Sequence, residues 1–381
     1  MRFPDEVPTL SDGVVTLRAH SPADIDGIVE QCVDPESVKW TTVPHPYQRG
    51  DAEKWIGEQV PAAWANDSAY TFAIEAEHHD GIRKFAGSVD LRRDREGVAE
   101  IAFGLHPGAR GRGVMRRAIN LLIDWGFTER GFDMILWLAY VGNWASRKAV
   151  WANGFSFDGT IRSYLAQRGE RHDAWVGSLR RDDPREPAKP WYVPPVLETE
   201  RLRLRPPADT DAPRLDELAN DERGRHFNGR IAGVADISGE RWVHRMRERN
   251  ATGEQVNWVI ADKATDQMLG QFQLHELGGM DDSEAQPGYG VHPDARGKGL
   301  ATEALNAVCE WAFRPVADGG FGKRRLTIST AESNTASRHA ADRAGFTHVA
   351  SIPTGYTIGE TGFEDEVIYS LINENWSASS G

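Results

Sequence analysis

The chain has 381 residues, of which 40% are hydrophobic and 27% are charged, so it is long enough for two or three globular domains and too apolar for a disordered chain. The formal net charge is -13 and both halves are acidic, which argues against a nucleic-acid-binding module. Cys32 and Cys309 lie in different halves and form neither a disulfide framework nor a zinc spacing. No apolar run approaches the roughly 20 residues of a membrane span. We therefore expect a cytoplasmic protein that binds neither membranes nor nucleic acids.

Hydrophobic periodicity predicts an α/β fold for the first half of the chain. Alternating residues indicate strands, a one-sided apolar stripe indicates a helix, and a continuous apolar run indicates a strand buried on both faces. The predicted elements are strands at 70–75, 85–91 and 98–105 with a charged turn at 92–97, a helix at 114–127, a buried strand at 134–141, a helix at 145–153 and a β-hairpin to 181.

A proline-rich segment follows this first set of elements. Residues 182–196 contain five prolines, and proline at that density is incompatible with a helix or a central strand. We therefore predict an N-terminal domain at 1–181, a semi-rigid linker at 182–196, a C-terminal domain at 197–376 and a flexible tail at 377–381.

The second half of the chain repeats the first. The run LHPGARGRGVMRRAINLLIDWGF at 105–127 matches VHPDARGKGLATEALNAVCEWAF at 291–313, and NWASRKAVWANGF at 143–155 matches NTASRHAADRAGF at 334–346. The opening segments VVTLRAHSPADID and RLRLRPPADTDAP also match. Three matches in the same order indicate a duplicated domain, with a period too long for a solenoid. The second copy is predicted to have its buried strand at 325–330 and its last helix at 335–344.

A glycine-rich turn between a strand and a helix is the most informative motif in each copy. It reads RGKGLA from Arg296 in the second domain and RGRGVM from Arg110 in the first. Glycines allow the backbone to approach a ligand, and the free N–H groups at a helix N-terminus favour an anion. A pyrophosphate is the expected ligand. The alternative is a turn without a ligand, but two copies with basic residues favour the phosphate site.

These motifs resemble the GNAT superfamily. The pattern Arg-x-x-Gly-x-Gly/Ala after a strand resembles its acetyl-CoA signature, and RGKGLATEA at 296–304 resembles the RimJ/RimL branch, which acetylates N-terminal amines of ribosomal proteins. That branch also has Asn-x-x-Ser leading into a helix that ends in Gly-Phe. The matching residues are Asn143, Ser146, Gly154 and Phe155 in the first domain and Asn334, Ser337, Gly345 and Phe346 in the second.

The resemblance implies, in each domain, a mixed, mostly antiparallel sheet flanked by helices, with its fourth and fifth strands splayed around pantetheine. It implies acetyl-CoA or another acyl-CoA as co-substrate, no metal, and direct attack by a small-molecule amine or a protein N-terminal amine in a ternary complex. The cofactor-binding residues that it implies are Leu105, Arg110, Gly111, Arg112, Gly113, Val114 and Asn143 in the first domain, and Val291, Arg296, Gly297, Lys298, Gly299, Leu300, Ala301 and Asn334 in the second.

Amine acylation needs a base, and a carboxylate near the acceptor can supply it. Glu100 opens the strand before the first glycine turn, where many members of the family carry a base; the alternative is a solvated carboxylate at a strand edge. In the second domain the corresponding residue is Gln286, which cannot take a proton. Glu284, two residues earlier on the same face, and His275 are the candidates there.

The departing thiolate needs a proton. Many GNAT enzymes use a tyrosine four residues before the Gly-Phe, but Val150 and Ala341 occupy that position here. The resemblance gives this role to Ser146 and Ser337, and the alternative is that Asn-x-x-Ser only caps a helix. Met115 stands where glycine or alanine is usual, which predicts weaker coenzyme A binding in the first domain.

Three functions therefore remain open on the sequence. The first is an amine N-acyltransferase with domain 1 as the better catalytic site, and the second is a non-catalytic acyl-CoA-binding module. The third is a chain with one catalytic and one structural domain. The segment Trp40–Tyr47 lies where relatives place a loop over the acceptor, so its aromatic residues either line a pocket or cover the core.

Overall fold

The fold consists of two compact units, Met1–Ala188 and Lys189–Gly381. The structure is a computed structural model that describes residues 2–228, 238–278 and 281–377. The division between the units falls inside the proline-rich segment 182–196. Among the described helices, none combines the length and the apolar character that a membrane crossing requires.

Unit 1 has eight strands and several helices among its described residues. Its strands are β1 (Leu10–Ser11), β2 (Thr16–Arg18), β3 (Ala69–Glu77), β4 (Arg83–Arg95), β5 (Val98–Leu105), β6 (Met134–Tyr140), β7 (Ser156–Gln167) and β8 (Glu170–Arg180). Its helices are α1 (Ile25–Val33), α2 (Pro35–Trp40), α3 (Arg49–Lys54), a π-helical turn (Trp55–Gln59), α4 (Val60–Ala65), α5 (Val114–Thr128) and α6 (Trp144–Trp151).

Unit 2 follows the same plan. Its strands are β9 (Leu197–Glu198), β10 (Leu202–Arg205), β11 (Val256–Asp262), β12 (Met268–His275), β13 (Glu284–Val291), β14 (Arg325–Ala331), β15 (Thr347–Ile358) and β16 (Gly362–Ile372). Its helices are α7 (Ala212–Ala219), α8 (Glu222–Asn228), α9 (Gly239–Ala251), α10 (Leu300–Phe313) and α11 (Thr335–Arg343).

Each unit is built on one eight-stranded mixed sheet. The strand order is β1-β2-β3-β4-β5-β6-β8-β7 in unit 1, and the equivalent order β9-β10-β11-β12-β13-β14-β16-β15 in unit 2. Every strand pair is antiparallel except β5 with β6 and β13 with β14, which are parallel. This confirms the predicted α/β class with a mixed, mostly antiparallel sheet in each of two tandem domains.

Apolar clusters cover both faces of each sheet. In unit 1, α5 places Ile119, Leu122 and Ile123 against one face, with no exposed surface on any of the three side chains. On the other face, α1 and α3 close a smaller cluster around Phe85. Unit 2 has the same arrangement, with α10 on one face and α7 and α9 on the other. Positions along one strand therefore alternate between the α5 or α10 side and the opposite side.

The predicted charged turn at 92–97 is wrong in extent. Strand β4 continues through Arg95, which leaves only Glu96 and Gly97 between it and β5. The charged side chains have partners that hold the strand: Arg92 Nε donates to Asp90 at 2.7 Å, and Arg93 donates to Asp67 at 2.9 Å. The turn was predicted from the run of charged residues. The run continues the strand instead, because Asp90 and Asp67 neutralise its first two arginines.

A buried ion pair is repeated in the two units. Arg18 forms two hydrogen bonds of 2.8 Å with the Asp24 carboxylate, and Arg205 forms bonds of 2.9 and 2.8 Å with Asp211. Both aspartate side chains are almost fully buried, at 2% and 3% exposure. Each carboxylate also accepts a backbone N–H from the turn before the first helix of its unit. The pair fixes the entry of that helix relative to the second strand of the sheet.

We predict that Asp24→Asn and Asp211→Asn each lower the unfolding free energy of their unit by about 3 kcal/mol, because each arginine loses two hydrogen bonds to a buried carboxylate and keeps a more exposed one, Glu75 or Asp266, as its partner. Calorimetry should show the transition of the affected unit shifted down by about 6–12 °C. Burial alone would raise the pKa of Asp24, but its bonds from Arg18 and Ser21 outweigh this and hold the pKa below its ordinary value. The stabilising effect of Asp24 is therefore present at neutral pH and lost below about pH 4.

The control is Asp266→Asn. Asp266 binds the same Arg205 at 3.0 Å but is 51% exposed, so its loss should cost less than about 1 kcal/mol. Equal effects of the Asp211 and Asp266 changes would contradict the importance of the buried pair.

Candidate functional site

The central parallel strands of each sheet pair over only a few residues and then diverge. In unit 1, the pairing joins Val98–Ile101 to Met134–Trp137, and the remaining half of β5, Ala102–Leu105, leaves β6. In unit 2, only Glu284 and Ala285 of β13 pair with β14. The splay that the family resemblance implies is therefore present in both units, but it separates the fifth and sixth strands of each sheet, β5 from β6 and β13 from β14, rather than the fourth and fifth. One backbone edge of each diverging strand is left without a strand partner, so a ligand can bond to it.

Each cleft leads to a glycine loop at the start of a long helix. Gly111 and Gly113 have φ of 74° and 75°, and Gly297 and Gly299 have φ of 74° and 76°. A Cβ atom at the first three would meet no other atom within 4 Å, and at Gly299 only the Arg201 guanidinium, at 3.9 Å. Left-handed backbone angles explain the glycines, and the space above them is open. The first turns of α5 and α10 point their free N–H groups into this space.

The first arginine of each loop braces the loop. Arg110 donates to the last carbonyl group of β5 at 3.3 Å and to the Asp34 carboxylate at 2.6 Å. Arg296 donates to the last carbonyl group of β13 at 3.1 Å and to both oxygens of Asp221. The Arg296 guanidinium holds the pKa of Asp221 below its ordinary value. These two arginines are thus neutralised by aspartates that precede the second helix of each unit, and they position the loop.

The second basic residue differs between the loops. Arg112 forms an ion pair of 2.7 Å with Glu77 and also bonds to the His78 carbonyl group. Lys298 donates to the Asp294 carbonyl oxygen at 3.0 Å and has no carboxylate within 4 Å among the described residues. The loop of unit 2 therefore presents a more available cation than the loop of unit 1.

The two asparagines of the Asn-x-x-Ser motifs cap helices. The Asn143 side chain accepts the Ser146 N–H at the start of α6, and the Asn334 side chain accepts the Ser337 N–H at the start of α11. The capping interpretation of the motif therefore describes what these side chains do in the structure. The caps turn the serine side chains towards the strands at the cleft.

Both serine hydroxyl groups have hydrogen-bond partners. Trp137 donates its indole N–H to Ser146 Oγ at 2.9 Å. The Tyr289 and Ser337 hydroxyl groups form a hydrogen bond of 3.1 Å. Burial raises the pKa of Tyr289. Tyr289 was not predicted to be a site residue, although its position on β13, three residues beyond Gln286, could have indicated it. A protonated tyrosine beside the serine is a proton donor that unit 1 lacks, since Phe103 holds the equivalent position.

Glu100 of unit 1 lies opposite Arg92 of β4 at the apex of the cleft. Asp90 lies two residues along β4 on the same face, is 8% exposed, and bonds Arg92 at 2.7 Å. Burial raises the pKa of Glu100 above its ordinary value; Arg92 opposes this rise, and Asp90 and Asp94 reinforce it. A half-buried carboxylate with a raised pKa is well suited to accept a proton near neutral pH.

Unit 2 carries different groups at these positions. His275 lies opposite Gln286, and Gln273 lies opposite Gly288. These two pairs are equivalent to the pairs Arg92 with Glu100 and Asp90 with Ala102 in unit 1. The Glu284 carboxylate forms ion pairs with Arg324 and Arg325. Burial lowers the pKa of His275, so its imidazole is neutral at pH 7.

The second helix of each unit is fastened to the last hairpin, beside the cleft. The Gln167 amide donates to three carbonyl groups at the end of α2, the shortest bond being 2.6 Å. In unit 2, the Gly359 N–H donates to the His226 carbonyl oxygen at 2.7 Å. The Trp40 ring lies 3.4 Å from where a Cβ of Gly142 would be, which places it beside the residues that follow β6.

Comparison with known proteins gives the same domain twice. The family model for the acetyltransferase (GNAT) domain matches residues 15–156 and 201–347. An uncharacterized N-acetyltransferase, p20, of Bacillus licheniformis is 25% identical over 171 residues, which are 45% of this chain and 95% of that protein. Another, YoaA of Bacillus subtilis strain 168, is 26% identical over 156 residues, 40% of this chain and 82% of that protein.

Solved structures match about half of the chain at a time. Mycobacterium smegmatis RimJ in complex with CoA-disulfide is 20% identical, with a TM-score of 0.42 over 48% of this chain and 91% of that one. The microcin C7 self-immunity acetyltransferase MccE, in complex with acetyl-CoA and AMP, is 20% identical, with a TM-score of 0.40 over 44% of this chain and 93% of that one.

The two family matches together span more than half of the chain, and one lies in each unit. Both units carry the splayed strands and the glycine loop described above. The chain therefore belongs to the GNAT acetyltransferase family and is a GNAT-type N-acetyltransferase with two tandem domains of that family.

Proposed function

We propose that the chain transfers an acetyl group from acetyl-CoA to a primary amine of a small molecule or a protein N-terminus, by direct attack in a ternary complex. The observation that carries this proposal is in unit 1. There, a cleft beside β5 connects Glu100, a half-buried carboxylate with a raised pKa, to the open N-terminus of α5.

The glycine loops are the proposed pyrophosphate sites. The N–H groups of the first helical turn and the positive end of the helix dipole favour an anion. Lys298 adds charge in unit 2, and Arg112 adds charge in unit 1 although it is shared with Glu77. Beside Gly299, a surface groove lined by Thr302 and Arg343, among others, continues the polar surface away from the loop.

Pantetheine is proposed to lie in the cleft, where it would bond to the free edge of Ala102–Leu105 in unit 1. Backbone N–H groups of that edge would also stabilise the oxyanion of the tetrahedral intermediate. The amine would arrive from the face that carries Glu100 and Asp90. Glu100 would take one proton from the ammonium, the amine would form the C–N bond, and the C–S bond would break to release the thiolate. The second proton of the nitrogen would replace the one that the thiolate's proton donor gives up.

The thiolate then needs a proton. In unit 1, Ser146 is the proposed donor, held by the indole of Trp137. In unit 2, the Tyr289–Ser337 hydroxyl pair could supply it.

A second candidate function applies to unit 2 alone. Gln286 replaces the base, and the nearby Glu284 is held by two arginines. These observations favour a unit that binds acetyl-CoA without a carboxylate base. Unit 2 would then either be a binding or structural domain, or it would use His275 for proton transfer.

We predict that Gly299→Glu abolishes acetyl-CoA binding in unit 2 and that Gly113→Glu does so in unit 1. A carboxylate at either position would repel the pyrophosphate and fill the space above the loop. Isothermal titration calorimetry should show two sites per chain in the unchanged protein and one in each variant, with the unit 1 site weaker because of Met115.

The control variants place a glutamate at two other glycines with positive φ, so that the backbone strain is similar. Gly319 follows the opposite end of α10 with φ of 76°, and Gly131 follows the opposite end of α5 with φ of 68°. A side chain at either would meet no atom within 4 Å. Gly319→Glu and Gly131→Glu should therefore keep both sites; two sites in the loop variants would mean that the loops are turns without a ligand.

We predict that Glu100→Gln lowers turnover at least tenfold with little change in acetyl-CoA affinity, the pattern of a lost transition-state interaction. Because the pKa of Glu100 is raised, the activity of unit 1 should fall as pH drops through a value above the ordinary range of a glutamate. That acidic limb should disappear in the variant. Initial rates of free-thiol release on an amine acceptor, measured from pH 5 to pH 9, test both points.

The matched control is Glu96→Gln, in the exposed turn before β5, which should behave as the unchanged protein. An unchanged rate and pH profile in Glu100→Gln, together with loss of activity in Gly299→Glu, would move the chemistry to unit 2.

A further inference from the structure

The acceptor-side faces of the two units differ in charge. Unit 1 carries Asp90 and Glu100 there, with Arg92 between them. In the same register, unit 2 carries Gln273, His275 and Gln286. Unit 2 thus lacks the two carboxylates that unit 1 carries on this face, while both units keep the glycine loop.

Helix α9 adds positive charge to this face of unit 2. Arg245 and Arg249 lie one turn apart on α9, and both are half-buried. Neither guanidinium has a carboxylate within 4 Å in the described segments. Burial and the charge of Arg245 lower the pKa of Arg249, and the charge of Glu254 opposes them only in part, so the cation is not fully compensated. Asn250, the next residue on α9, accepts hydrogen bonds from Asn257 of β11, which lies opposite Gln273, so this end of α9 lies over the same face of the sheet. Arg249 also contributes to the lowered pKa of His275.

Unit 1 has no such cations at the equivalent positions. Thr71 and Asn257 hold the same register, opposite Asp90 and Gln273. Arg249 precedes Asn257 by as many residues as Ala63 precedes Thr71, so Ala63 is the equivalent of Arg249. The same count makes Gln59 the equivalent of Arg245. The basic pair is therefore specific to unit 2.

We infer that unit 2 acts on amines that also carry a carboxylate, which Arg249 and Arg245 bind, and that His275 accepts the proton of the ammonium group. This inference rests on the proposed acetyl transfer. The neutral imidazole takes one proton of the ammonium group, the freed amine forms the C–N bond as the C–S bond breaks, and the Tyr289–Ser337 pair protonates the thiolate. The attacking nitrogen then gives its second proton to this pair, which restores both hydroxyl groups. The imidazolium then releases its proton to solvent.

The charges around His275 are consistent with this role. Glu276, whose side chain is 71% exposed, has an oxygen 3.9 Å from His275 Nδ1, and the positive charge of Arg249 on α9 lowers the pKa of the ring. Gln286 lies across the strand pair and is uncharged. Arg249 and burial both favour the neutral imidazole, whereas Glu276 alone opposes them. His275 therefore stays available as a base to a lower pH than a free histidine.

The test uses the full chain carrying Gly113→Glu, so that transfer comes from unit 2. Free-thiol release from acetyl-CoA is measured with pairs of acceptors that differ only in a carboxylate, such as phenylalanine with phenethylamine and lysine with cadaverine. We expect kcat/KM to be at least tenfold higher for the carboxylated member of an accepted pair. Arg249→Gln should lower that value at least tenfold, mainly through KM, and should change the decarboxylated amine less than twofold.

The control is Arg241→Gln, an exposed arginine two turns earlier on α9, which should leave the preference unchanged. His275→Gln should lower kcat at least tenfold, leave KM nearly unchanged and remove the acidic limb of the pH profile. Equal or better use of the decarboxylated amines, or an equal effect of Arg249→Gln on both members of a pair, would overturn the inference and leave the acetyltransferase assignment standing. Failure of every amine in both the unchanged and the Gly113→Glu chains, with acetyl-CoA still bound, would instead overturn the proposed transfer.

Discussion

A parallel strand pair that stops after a few residues is the feature on which the rest of each unit depends. In the middle of a sheet, backbone N–H and C=O groups normally pair with a neighbouring strand, and leaving them unpaired is costly. Here the pairing of β5 with β6 ends at Ile101, and the pairing of β13 with β14 ends at Ala285. The freed edges of the diverging strands offer backbone N–H and C=O groups that can bond to an extended ligand. The glycine loop, the helix N-terminus and the capped serines all lie around these edges.

The two units show which parts of the site the duplication preserved. Loop geometry is almost identical, with equivalent glycines within 2° in φ and each loop arginine held by an aspartate. The acceptor-side faces differ in nearly every charged group. The proposed shared co-substrate would account for the first observation, since both loops would bind the same pyrophosphate. The inferred difference in acceptors would account for the second, because groups that touch only the acceptor can differ between two copies of a domain.

Features encoded by neighbouring residues were predictable from the sequence. The strand at 98–105 has the bounds that its alternation predicted, and the glycine loop and the helix starts at Val114 and Leu300 follow from local backbone chemistry. Features that join distant segments were not predictable. Glu284 was a candidate base because it lies two residues before Gln286 on the same face, yet the arginines that pair with it come about 40 residues later, through the parallel crossover. The Tyr289–Ser337 bond and the Arg110–Asp34 brace escaped the sequence analysis for the same reason.

The short parallel pairing also has a mechanical consequence. In unit 2, two residue pairs, Glu284 with Arg325 and Ala285 with Leu326, are all that join the five strands β9–β13 to the three strands β14–β16 through the ladder. The packing of α10 and its apolar cluster is therefore the main connection between the two half-sheets. A molecule that formed hydrogen bonds with the unpaired edge would extend the ladder between the two half-sheets. Binding in the cleft would therefore make the whole unit more rigid. Slower hydrogen exchange would then spread into strands that the molecule never touches.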